Sequence, residues 1–206
     1  MQATVDIIVY KILLAVRSIF LSALLIIGFA ASIAIAGGQA SMVLLERKLE
    51  RQFPDVLNMI PEQFEALRAE RPNGVIVLDV REPQEFTVSH LPGAVRVDPN
   101  ISTADFINTF ASKLKGKTVI LYCSVGYRSS KLASQIQQSL AKVGVKGVYN
   151  LRGGIFSWHN AGRSVVQGDA ETKYVHPYSK RWSQYLEFDN YARYGVSEEK
   201  FSWWPW

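Results

Sequence analysis

The residues best equipped for chemistry lie within one short stretch: Cys123, the only cysteine of 206 residues, and Arg128 after the turn Ser124-Val125-Gly126-Tyr127. Before them, Val119, Ile120, Leu121 and Tyr122 form the apolar, β-rich run expected of a strand buried on both faces. From Ser129 the period changes, and Leu132, Ala133, Ile136, Leu140 and Val143 recur at helical spacing opposite Lys131, Gln135, Gln138 and Lys142. Cys123 therefore stands where a strand ends and a helix begins. Free N–H groups of the turn and the first helical residues, with the helix dipole, favour a negative charge placed before them. A thiolate is such a charge. The ordinary thiol pKa of about 8.5 falls at a helix start beside an arginine, so Cys123 is a candidate nucleophile. Arg128 can also fork onto an anionic substrate. The competing reading is an inert cysteine closing a core strand.

The neighbours favour the nucleophile. Cys123-Ser124-Val125-Gly126-Tyr127-Arg128 resembles the active-site loop of rhodanese-type sulfurtransferases. Leu78-Asp79-Val80-Arg81-Glu82 with Glu85-Phe86 resembles that family's first signature, and Ser89-His90-Leu91-Pro92-Gly93-Ala94 its second. Leu151-Arg152-Gly153-Gly154-Ile155 with Trp158 resembles its closing motif. Four motifs in order over roughly Val56 to Gln167 make the resemblance specific. It implies a three-layer α/β domain with a central parallel five-stranded sheet and helices on both faces. It also implies Cys123 as catalytic residue, with Ser124, Val125, Gly126, Tyr127, Arg128 and Ser129 binding substrate. Related cysteine-dependent phosphatases and arsenate reductases have five residues between Cys and Arg, whereas this chain has four. A smaller ring of amides suits a sulfane sulfur better than phosphate. The implied reaction is attack of the Cys123 thiolate on a donor such as thiosulfate, then removal of the outer sulfur by a thiophile. No general base is required, and no histidine or carboxylate stands beside the cysteine in sequence.

The elements that position this stretch follow from the rest of the pattern. Val56–Ile60 reads as a first strand. Pro61 opens a helix with Phe64 and Leu67 inward, stopped at Arg71-Pro72-Asn73-Gly74. Val75–Val80 reads as a buried strand ending at the sheet edge that holds Cys123, so Asp79 and Arg81 either line the pocket or brace the loop, bracing being favoured. His90 precedes a short strand at Val95–Val97, and a loop hydrogen bond is favoured over a role as base. Ser102 or Thr103 caps a helix with Phe106, Phe110 and Leu114 on one face. Gly147–Leu151 reads as the last strand, and Gly153-Gly154 leads into a helix. Strands alternating with helices imply a parallel sheet covered on both sides.

The chain divides by composition into an apolar segment (1–36), a helical spacer (37–55), the α/β domain (56–167) and an aromatic extension (168–206). Ile7 to Ala36, uncharged from Ser18, is long enough for a transmembrane helix, while Ala34-Ile35-Ala36 and Gly38-Gln39-Ala40 read equally as signal-peptide cleavage sites. Either places the domain at a membrane or beyond it, on the non-cytoplasmic side. Ser41–Phe53 puts Met42, Leu45, Leu49 and Phe53 on one helical face. In the extension, Tyr174 to Tyr185 either folds over the pocket mouth or simply covers core surface, and Trp203-Trp204-Pro205-Trp206 suits a membrane interface.

A lone cysteine excludes an internal disulfide, and the three scattered histidines suggest no metal or cofactor. A net charge of +5 without a basic run does not point to nucleic acid. The expected partner is a small sulfur-containing anion or thiol. The alternative is a membrane-associated binding module of the same fold with little turnover.

Overall fold

The central strand alternates its side chains between two separate cores, and that alternation organises the domain. The structure, a computed structural model, describes residues 41–187 and 191–195 together with Arg17. Apart from Arg17, the apolar segment 7–36 lies outside the described residues, as does Trp203–Trp206; a membrane role is expected for both. Among the described residues, no helix is long and apolar enough to cross a membrane.

Five parallel strands, β1 (Leu57–Met59), β2 (Val75–Asp79), β3 (Val95–Arg96), β4 (Thr118–Tyr122) and β5 (Gly147–Leu151), lie in the order β1-β5-β4-β2-β3. Ile120 and Tyr122 of β4 enter one core with Phe64 of α2 (Pro61–Glu70) and Phe156 of α6 (Gly154–Asn160). Val119 and Leu121 enter the other, with Phe106 of α4 (Thr103–Leu114) and Ile136 of α5 (Tyr127–Lys142). Each fully buried aliphatic side chain contributes about 1.5–3 kcal/mol, so the uninterrupted apolar run of β4 ties both helical layers to one sheet. The helix over residues 41–52, α1, joins the first core through Met42 and Leu45.

Parallel pairing brings the strand ends to one edge. Asp79 is in register with Tyr122, and Leu121 with Asn150, so residues 79–81, Cys123 and Arg152 emerge side by side. Helix α6 then grips the loop: the N–H groups of Ile155 and Phe156 donate to the carbonyls of Cys123 (2.9 Å) and Ser124 (3.1 Å). That approach has room only for glycine at 154, where a Cβ would lie 2.3 Å from the Cys123 carbonyl oxygen at a φ of +59°.

Three local features differ from expectation. Helix α5 begins at Tyr127 rather than Ser129, because positive-φ Gly126 caps it and leaves only a short loop after the strand. A six-residue helix, α3 (Pro83–Val88), follows β2 with proline at its first position, too short to show an apolar period. The chain also forms an antiparallel hairpin of β6 (Val165–Gln167) and β7 (Ala170–Thr172), and Val166 exchanges backbone hydrogen bonds with His90 at 2.8 and 2.9 Å.

The close approach at Gly154 yields a direct expectation. Gly154→Ala should lower stability by about 2–4 kcal/mol in urea unfolding, since the methyl meets backbone that cannot yield. Gly162→Ala, at a φ of +72° with open space around it, should cost only the backbone term of about 1–2 kcal/mol.

Candidate active site

Cys123 is 1% exposed, and its Sγ accepts the Gly126 N–H at 3.2 Å. Gly126 reaches that position through a φ of +102°, which turns its amide back toward the sulfur. Burial works against the thiolate. Against it stand the Arg128 charge and the N–H groups of Ser129 and Val125, and together these bring the thiol below its ordinary range. Ser129 favours the thiolate through its backbone N–H and its side chain, and its hydroxyl also bonds Asn150 Oδ1 at 2.7 Å. Asn150 in turn donates to Asn58 Oδ1 at 2.8 Å. Val125 is buried, while Tyr127 is half exposed with its ring edge-on to Phe53 at 5.8 Å.

Arg128 does not stand free above the cysteine. Its Nη1 and Nη2 donate to Glu85 Oε2 (2.7 Å) and Oε1 (2.8 Å), and Nη2 also donates to Ser124 Oγ at 2.9 Å. The Ser124 hydroxyl donates to Glu85 Oε1 at 2.8 Å, closing the set. Glu85 is held by the start of α3 as well, where its Oε2 accepts the Glu82 N–H at 3.0 Å. Burial alone would raise the Glu85 carboxyl, but its hydrogen bonds to Arg128 and that cation's charge bring it below the usual carboxylate value. Burial likewise opposes the Arg128 charge, and Glu85 with the Cys123 thiolate more than restores it. A carboxylate therefore does belong to this cluster, 38 residues before the cysteine in the chain. In the sequence, Glu85 stands out only as part of the Glu85-Phe86 motif, with nothing to assign it to the site.

Asp79 and Arg81 form a second, fully buried ion pair. Arg81 Nε and Nη2 meet the Asp79 carboxylate at 2.9 and 2.7 Å, and Nη2 also donates to the Ser89 carbonyl at 2.6 Å. Tyr122 donates its hydroxyl proton to Asp79 Oδ2 at 2.6 Å and accepts the Leu91 N–H at 3.0 Å. The pair thus pins the loop that follows α3 to the end of β4. His90 is engaged elsewhere: its ring stacks on Phe86 at 3.9 Å, and its Nδ1 lies 3.1 Å from the Phe86 carbonyl oxygen.

Two groups from outside this core reach the same place. The Tyr178 ring lies 4.9 Å from the Arg128 guanidinium carbon. Glu46 of α1 bonds Arg152 at 3.0 Å and Ser157 at 3.2 Å, beside the start of α6. An aromatic residue recurring in the extension was the only sequence signal for the first. A polar residue within apolar β5 was the signal for Asn150.

Residues 61–161 match the model of the rhodanese-like domain. Over 112 residues the chain is 37% identical to the thiosulfate sulfurtransferase GlpE of Pseudomonas entomophila, covering 54% of this chain and 93% of that protein. It is 31% identical over 111 residues to the uncharacterized protein slr1261 of Synechocystis, covering 54% of this chain and only 56% of that relative. Among solved structures it is similar to a Rhodopseudomonas palustris protein described as a possible tyrosine phosphatase, with 22% identity and a TM-score of 0.48. That match covers 57% of this chain and 90% of the other.

Removing the Arg128 cation should disfavour the thiolate. In Arg128→Ala, the pH profile of Cys123 alkylation, followed by intact mass, should move to higher pH, with a slower rate at pH 7. Glu85 supplies a stability term of known sign. Its folded carboxyl lies below the unfolded value of about 4.3, so its contribution is complete above that pH and is lost as pH falls through the folded value. The stability gap between wild type and Glu85→Gln, measured in urea, should therefore be widest near neutrality and narrow below about pH 4.

Proposed function

This chain belongs to the rhodanese-like family, and from that membership we propose that it is a sulfurtransferase working through a persulfide on Cys123. The observation that carries this reading is the lowered thiol held at the start of α5, with its sulfur on the Gly126 amide and the Arg128 charge nearby. A thiol whose ionisation is favoured by a nearby cation and by N–H groups is the nucleophile that such chemistry needs.

With thiosulfate as donor, the Cys123 thiolate attacks the outer sulfur. The donor's S–S bond breaks, sulfite leaves with the electron pair, and the cysteine holds a persulfide anion. Cyanide, or the thiolate of a low-molecular-weight thiol, then attacks the terminal sulfur. The Cys123–S bond breaks and the thiolate returns. Each step moves sulfur without net proton transfer, so no base has to be paired with the cysteine. The persulfide carries the same charge as the thiolate and meets the same amides, which supports the intermediate without rearranging the loop. Arg128, fixed by Glu85 and Ser124, supplies a stationary positive field rather than a mobile clamp.

The relative GlpE is named for thiosulfate, and we carry that donor to this chain as a proposal. Treating the full chain with thiosulfate and removing the excess should leave one added sulfur in the intact mass, discharged by cyanide. Cys123→Ser should gain none. A wild type that gains no sulfur from any sulfane donor would overturn the reading in favour of a binding module.

A further inference from the structure

The nucleophile is buried, and an aromatic ring that meets the Arg128 guanidinium comes from outside the residues that the family model matches. Tyr178 lies beyond residue 161, in the extension, and covers the face of Arg128. Tyr178 is 51% exposed, so it lies at the surface rather than filling the core.

Its backbone is also unusual. Tyr178 is the only non-glycine residue with positive φ among the described residues, at +65°. Such a conformation is costly for a residue with a Cβ and persists only where the surroundings impose it. Here they do. The Tyr178 N–H donates to Nδ1 of His176 at 3.0 Å, and the Ser179 N–H turns back to the Pro177 carbonyl at 2.8 Å. His176 is 6% exposed, stands edge-on to Tyr194 at 5.5 Å, and is kept neutral by burial, so Nδ1 stays an acceptor. Beneath it, Val175 is fully buried in the first core, with its N–H on the Tyr191 carbonyl and its carbonyl accepting from Arg193. A rigid pedestal thus aims one aromatic ring at the cation of the site.

We propose that Tyr178 is a specificity-determining residue, its ring forming a wall of the Cys123 mouth that admits compact sulfur anions and small thiols and excludes bulky or protein-borne ones. The substrate class rests on the sulfurtransferase reading, while the wall itself does not. A ring held over Arg128 narrows the approach to a sulfur that is already nearly inaccessible. Swinging it aside forfeits the contact with the guanidinium. A compact reagent needs less of that opening than a wide one.

Because Cys123 is the only cysteine, alkylation of the full chain reports on this sulfur alone. The measurement is the ratio of alkylation rates for a fluorophore-bearing maleimide and for iodoacetamide, read by intact mass at one pH. Tyr178→Ala should raise that ratio roughly tenfold, the order expected for one removed steric contact. Tyr178→Gly, which also relieves the strained φ, should raise it equally, and Tyr178→Phe should leave it at the wild-type value. An unchanged ratio in both small variants, whatever happens to the two separate rates, overturns the proposal. Neither reagent depends on sulfur transfer. A chain that shifts the ratio but forms no persulfide therefore keeps the wall and loses the reaction, and the reverse outcome keeps the reaction and loses the wall.

Discussion

The largely buried bond between Glu85 and Arg128 is the constraint on which the site depends. It joins α3 to the first turn of α5, and it fixes a positive charge beside a cysteine whose burial works against the thiolate. A buried pair of this kind is poor evidence for stability. Well-packed apolar replacements are often neutral or better, whereas removing one partner costs about 3–5 kcal/mol. Its value here lies in position. A free arginine would follow any passing anion, but this one is locked in plane by a bidentate carboxylate and by Ser124, and its charge remains the largest favourable influence on the thiol.

What could be read from the sequence was what is encoded over short distances. The strand β4, the helix after it and the five-strand order of alternation depend on local period. So did the place of Cys123, because strand-to-helix transitions show themselves in four or five residues. Glu85 was not legible as a site residue, since its partners lie 39 and 43 positions away and a glutamate beside phenylalanine resembles any surface helix. Helix α3 and the β6–β7 hairpin are shorter than the window in which periodicity can be recognised. Asp79 and Arg81 were legible as a pair, but not their link through Tyr122, which needs β2 and β4 side by side.

The segments flanking the matched domain bear on the Cys123 loop from two sides. From α1, Leu49 packs near Gly126, Phe53 meets the Tyr127 ring, and Glu46 holds Arg152 and Ser157 behind the start of α6. From the extension, Tyr178 covers Arg128. The Coulomb field that makes the thiolate comes from within residues 61–161, so these additions act chiefly on rigidity and access.

That separation suits the proposed chemistry. Sulfur transfer through a persulfide asks for no proton shuttle, so once the thiolate exists, the rate depends on whether a donor or acceptor can reach it in line. The electrostatic part demands a small, invariant cup, which the amide of Gly126 and the grip of α6 on the Cys123 carbonyl supply. Access makes no such demand, and a wall can be drawn from any neighbouring segment without disturbing the cup. A fold that divides its work in this way can keep one nucleophile while changing the size of what it meets, simply by extending the chain past its last helix.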